Sequence, residues 1–248
     1  AVRWRPADFM TNDNDHLPTQ KSASTAIDSF LDDLNKTPVP FAGGQGGRLL
    51  FAMDATASRE PSWDMAARIQ NEMFEATRDI GGLAVQLAFF RGFGEFKVSG
   101  WQSDPKAIHR LMNGVFCLAG QTQVEKVLKH ARNEATRSAV RAVVYVGDCF
   151  EENLDHVGQV AGELGLLGVP VFMFHEGHDP DGERAFRHIA KLSGGAYAHF
   201  DAASAELLKK LLGAVAVFAA GGRGALDAYA KVQGGDVLKI TDQMQKGG

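Results

Sequence analysis

The chain has 248 residues, 45% apolar and 23% charged, with a formal net charge of -4. That length and balance suit one α/β domain with extensions and a core of ordinary size. The charge is too small to argue for nucleic acid or an anionic membrane surface as partner. The most apolar stretch, Leu211 to Ala220, is much shorter than the roughly 20 residues of a membrane-spanning helix.

Residues Ala1 to Gln20 are polar and aperiodic, and Arg3, Arg5 and Asp8 leave no apolar run of the kind a secretory signal needs. Ser24 or Thr25 can cap a short helix to about Asn35, whose Ile27, Phe30, Leu31 and Leu34 recur at helical spacing. Pro38 and Pro40 stop it, and Gly43 to Gly47 form a flexible joint. From Arg48 the pattern changes. Leu49 to Met53 is a short apolar run ending at Asp54, as a buried strand reads. A helix from about Ser62 to Asp79 follows, begun by Pro61 and ended by Gly81-Gly82.

Leu83 to Phe90 and Glu95 to Trp101 read as strands. The short connection Arg91 to Gly94 makes them an antiparallel hairpin. Helices are expected over about Pro105–Phe116 and Thr122–Thr136. Then comes a buried strand, Arg141 to Gly147, ending in Asp148. The rest alternates: helix Leu154–Leu167, strand Pro170–Phe174, helix Gly182–Leu192, strand Gly195–Phe200. A last helix starts near Ser204, is broken by Gly221 to Gly224, and resumes to about Val232. Such alternation predicts an α/β fold with a mainly parallel sheet covered by helices on both faces. Three segments result: an N-terminal extension (1–47), the α/β domain (48–212) and a C-terminal helical extension (213–248).

Sheets of this kind bind ligands at the carboxyl ends of their strands. Two strands here end in Asp. Asp54-Ala-Thr56-Ala-Ser58 places one carboxylate and two hydroxyls on a single tight loop, Thr122 adds a hydroxyl where a helix begins, and Asp148 adds a second carboxylate. All are oxygen donors, which suit Mg2+, Mn2+ or Ca2+ rather than zinc or copper. Taken singly, each residue also reads as an ordinary cap of a loop or helix.

This set resembles the metal-ion-dependent adhesion site of the von Willebrand factor A family, which carries Asp-x-Ser-x-Ser after the first strand, a Thr in a second loop and an Asp ending the fourth strand. Asp54, Thr56 and Ser58 match the first loop, with Thr for the first Ser; Thr122 matches the second; Asp148 matches the third, with Cys149 where Gly is common. The resemblance covers about Arg48 to Leu212. It implies a doubly wound six-stranded sheet in the order 3-2-1-4-5-6, strand 3 antiparallel. It also implies a non-enzymatic adaptor that holds Mg2+ (or Mn2+) on Asp54, Thr56, Ser58, Thr122 and Asp148. The metal would take a Glu or Asp carboxylate of a partner protein as its last ligand.

Other features carry less. His175-Glu-Gly-His178 with Asp179 and Asp181 has transition-metal ligand types, but reads as a solvated loop. Glu151, Glu152 and Asp155 read as the negative first turn of a helix. Cys117 and Cys149 make no disulfide framework, point to a reducing, cytoplasmic setting, and read as inert thiols with no His or Lys beside them. Two rival functions stand beside the adaptor. One is a phosphatase-like hydrolase using Asp54 as nucleophile, although the residue two further on is Thr56 where such enzymes carry an acid. The other is a structural domain with a degenerate site.

Overall fold

The computed structural model of the chain describes residues 47–60, 82–200 and 205–233. The helices expected at 24–35 and 62–79, and all but the last residue of the N-terminal extension, lie outside the described residues.

Six strands form one sheet: β1 (Gly47–Asp54), β2 (Leu83–Arg91), β3 (Glu95–Val98), β4 (Ala142–Gly147), β5 (Val171–Glu176) and β6 (Tyr197–Phe200). Their order is β3-β2-β1-β4-β5-β6. β3 is antiparallel to β2, and the other pairings are parallel. This is the expected architecture. Five α-helices are described: α1 (Pro105–Asn113), α2 (Val124–Ser138), α3 (Leu154–Leu166), α4 (Pro180–Ser193) and α5 (Ala205–Gln233).

Strand alternation divides the core into two layers. Leu49, Phe51 and Met53 of β1 join Val144, Val146, Phe172 and Phe174 on one face, covered by Ile108 and Met112 of α1 and Leu212, Val215 and Phe218 of α5. Leu50 and Ala52 face the other way with Val143, Tyr145 and Met173, covered by Val127 of α2, Val157 of α3 and Phe186 of α4. Both faces of the sheet are therefore dry, which is why the central strands are continuous apolar runs.

Three helix boundaries differ from expectation for reasons the local contacts show. α1 stops at Asn113 because Gly114 caps it, and its start is fixed by Asp104, whose side chain accepts from Lys106 N. α2 begins at Val124, two residues after Thr122, for a reason given below. α4 begins at Pro180, earlier than Gly182: Asp179 caps it by accepting from Gly182 N, with proline in the first turn. The expected break in α5 is found at Gly222, whose φ of 71° and ψ of -164° are not helical. Residue 212 lies inside α5, and Val215, Phe218 and Leu226 beyond it share the core of β1.

The sheet brings the two Asp-bearing strand ends together. β1 lies between β2 and β4, with Met53 opposite Val146. Asp54 therefore ends its strand one step past the last β1–β4 pair, and Asp148 leaves β4 beside it.

Candidate metal centre

Asp54 is the last residue of β1 and is fully buried. Its Oδ1 accepts a 2.7 Å hydrogen bond from Thr56 N. The loop then turns tightly through a 3-10 turn, Ala57–Arg59, and the Thr56 and Ser58 hydroxyls lie 3.1 Å apart. Thr56 is buried and Ser58 exposed. Neighbouring backbone holds the loop: Ala55 N donates to Phe90 O at 2.9 Å, and Ala55 O accepts from Leu118 N at 3.0 Å.

Thr122 is also buried, but it does not cap α2. Its hydroxyl accepts from Glu151 N at 3.0 Å, and its own N–H donates to Glu151 Oε2 at 3.2 Å. The N-terminus of α2 is satisfied by Glu152, whose carboxylate accepts from Val124 N and Glu125 N. Glu151 and Glu152 are thus not the first turn of α3, which starts at Leu154 behind the cap Asn153. Both carboxylates reach back to the preceding loop and helix instead. They tie the Thr122 loop to the loop that carries Asp148.

Asp148 is fixed through its backbone: its carbonyl accepts from His175 Nε2 at 3.1 Å. His175 Nδ1 lies 3.0 Å from the Tyr197 hydroxyl. Burial holds the pKa of His175 below the usual histidine value. The expectation of a solvated loop holds for His178, which is exposed, and is corrected for His175. His175 is a buried residue of β5, and His178 stacks on His199 with ring centroids 4.9 Å apart.

Asp54, Asp148 and Cys149 each offer one ligand atom, and these atoms lie within 4.8 Å of one another. Among the described residues, no other group of three His, Cys, Asp or Glu side chains is close enough to hold an ion. Asp54 Oδ2 and Asp148 Oδ1 are buried and have no hydrogen-bond partner among the described residues, and the same holds for the hydroxyl of the fully buried Tyr145. Buried polar atoms are nearly always bonded, so two orphaned carboxylate oxygens at one place call for a missing partner. A cation satisfies both, and the oxygen-rich donor set fits one.

The electrostatics agree. Burial pushes the Asp54 carboxyl up to about 6, against the hydrogen bonds from Thr56; the Asp148 charge adds to the rise and Arg59 opposes it. Burial also pushes up the Cys149 thiol, with the Asp148 charge in the same direction. Arg59, the residue after Ser58, was not singled out in the sequence. It is 1% exposed, forms an ion pair with Glu176 at the end of β5, and feels the charges of Asp148 and Asp54. A buried arginine has no periodic signature. Only its place after the Asp-x-Thr-x-Ser loop could have drawn attention to it.

Apolar side chains stand at the rim. Phe93 in the β2–β3 turn is 85% exposed, Phe116 63% and Leu118 46%. The Arg91 guanidinium lies over the Phe116 ring, 4.1 Å from its centroid, and donates to Phe116 O.

No protein-family model matches the sequence, and no curated protein matches it. Solved structures do. The SpRpn10 VWA domain superposes with a TM-score of 0.53 at 12% identity, covering 67% of this chain and 94% of that one. A von Willebrand factor type A protein from Catenulispora acidiphila gives 0.56 at 16% identity, over 69% of this chain and 43% of that one. Proximal thread matrix protein 1 from the mussel byssus, solved with a zinc-occupied metal-ion-dependent adhesion site, gives 0.54 at 16% identity over 69% of this chain and 46% of its own. Sheet order, strand directions and these superpositions agree: the chain has the fold of a von Willebrand factor A domain.

Proposed function

We propose that the chain is a non-enzymatic binding module. It takes a divalent cation on Asp54, Asp148 and the hydroxyls of Thr56, Ser58 and Thr122, and through the cation it holds a Glu or Asp carboxylate of a partner protein. The observation that supports this reading is the pair of buried carboxylate oxygens with no donor among the described residues, Asp54 Oδ2 and Asp148 Oδ1, at the ends of adjacent strands. Oxygen donors of this kind suit Mg2+ or Mn2+. The zinc in the mussel protein's site supports a divalent ion at this place in the fold. The hydroxyls are neutral, so the cation keeps charge for an anionic ligand from outside. The exposed Phe93, Phe116 and Leu118 beside the loop would bury apolar surface of the same partner. No helix of the described residues is long and apolar enough to cross a membrane. The free thiols of Cys117 and Cys149 support a cytoplasmic setting.

The test uses a short peptide with one central Glu, titrated into protein loaded with Mn2+ and into protein in EDTA. Binding with Mn2+, loss in EDTA and loss when the Glu is replaced by Gln are expected. Equal binding of the Glu peptide with and without metal contradicts the reading. Linkage requires the converse effect, so the peptide must also tighten Mn2+ binding by the same factor.

A further inference from the structure

Cys149 has no role as a ligand in an all-oxygen site, and without a metal its thiol is a hydrogen-bond partner of the Asp148 carboxylate. It follows Asp148 directly, is partly buried, and its sulfur belongs to the 4.8 Å cluster with Asp54 and Asp148. The cluster holds more than a cysteine. Asp54 is fully buried, and its Oδ2 has no hydrogen-bond partner among the described residues. Zinc–oxygen bonds are about 2.0–2.2 Å and zinc–sulfur bonds about 2.3 Å. Around a tetrahedral zinc ion such donors are roughly 3.3–3.8 Å apart, so three donors within 4.8 Å of one another reach a ligating arrangement by side-chain adjustments on the order of 1 Å or less. The backbone of the 148–149 turn is anchored: His175 holds the Asp148 carbonyl, and a Cβ on Gly182 would lie 3.2 Å from His175 Nε2 and 3.4 Å from the Cys149 Cα.

We infer that Cys149 is a direct metal ligand and that its thiolate makes this site a zinc site, with Asp54 and Asp148 as the other two protein ligands and a fourth position open. This rests on the metal-site reading above, keeps Asp54 and Asp148 from it, and puts the Cys149 thiolate in place of the hydroxyl ligands, which narrows the ion from any divalent cation to a borderline-soft one. Soft thiolate donors favour zinc over magnesium or manganese, and three protein ligands with an open position are what zinc accepts when it binds an external group. Binding forms one metal–sulfur bond and sends the thiol proton to solvent; no oxidation state changes. The buried guanidinium of Arg59 offsets part of the negative charge that two carboxylates and a thiolate bring together.

The experiment is Co2+ titration of the reduced full chain, with Co2+ as the spectroscopic substitute for Zn2+. A thiolate-to-cobalt charge-transfer band in the near ultraviolet is expected in the wild type and in Cys117→Ser, bleached by added Zn2+ and absent in Cys149→Ser. In Cys149→Ser the Zn2+ affinity should fall roughly tenfold or more, the scale on which ligand-shell changes act, while Mn2+ affinity stays nearly constant. Retained Mn2+ binding also shows that the variant is folded. If the wild type binds Mn2+ and Co2+ without the band, or the band survives in Cys149→Ser, the cysteine inference is overturned and the oxygen site stands. If no metal binds to the wild type at all, the metal-site reading beneath it falls as well.

Discussion

Asp54 is a carboxylate in a place that suits a neutral group, and its titration follows from that. Its folded pKa, about 6, lies above the ordinary carboxyl value because burial disfavours the charge. A carboxyl raised in the folded state contributes stability that is complete below its unfolded pKa and is lost as pH rises through the folded one. The metal-free protein should therefore lose on the order of 3 kcal/mol between about pH 4 and pH 7 from this residue. Asp54→Asn should remove that loss. In EDTA at neutral pH the variant should melt higher than the wild type, and at pH 4 the two should converge, by thermal denaturation across pH. A lower melting temperature for the variant at neutral pH would contradict the assignment. Protons and metal compete for the same oxygens, so metal affinity should fall steeply below about pH 6. Glu152 makes a second residue-scale prediction. It caps α2 with two hydrogen bonds, so Glu152→Ala should cost about 1–2 kcal/mol in urea denaturation.

At the scale of elements, the loops around Asp54 are held by backbone at close range. Gly120 is the tightest point: a Cβ there would lie 2.0 Å from Gly92 O, and Gln121 N donates to that same oxygen. Gly120→Ala should push the Thr122 loop off the β2–β3 turn and destabilise the protein by about 1–3 kcal/mol. It should weaken metal binding without touching a ligand, as calorimetry would register; unchanged stability and affinity would show that the loop has room. The strands were legible as short apolar runs bounded by turn residues, with both Asp residues at the ends of such runs, whereas their order was expected only from the resemblance to the von Willebrand factor A family. The start of α2 was not legible. Thr122 has the type of a capping residue, but the cap comes from Glu152, 28 residues away from Val124. A nonlocal carboxylate leaves no trace near the helix it serves. The start of α4 could have been read from Asp179-Pro180, a cap followed by proline. The burial of Arg59 and His175 depends on partners in other strands, Glu176 and Tyr197, which spacing along the chain does not reveal.

At the scale of the molecule, the fold is a sheet closed on both faces, and one face depends on α5. Val215 and Phe218 lie beyond residue 212 and are buried against the layer that contains β1; the Phe218 ring packs edge-on against Phe172, with centroids 6.0 Å apart. A chain ending at residue 212 should therefore fail to unfold cooperatively. Phe218→Ala should cost about 3–5 kcal/mol in the intact chain. Cooperative melting of the shortened chain at the wild-type temperature would show that α5 is dispensable to the core. The same sheet sets the two carboxylates side by side, so the site is a property of the fold as much as of its loops.

The most direct test is titration of Mn2+, Mg2+ and Zn2+ into the purified protein, followed by calorimetry and thermal shift, with Asp54→Ala and Asp148→Ala alongside. A ligand that binds only the folded state raises the melting temperature with its concentration. The account predicts a saturable rise for the wild type and none for either variant. A wild type that millimolar metal leaves unchanged, or variants that respond as it does, would contradict it.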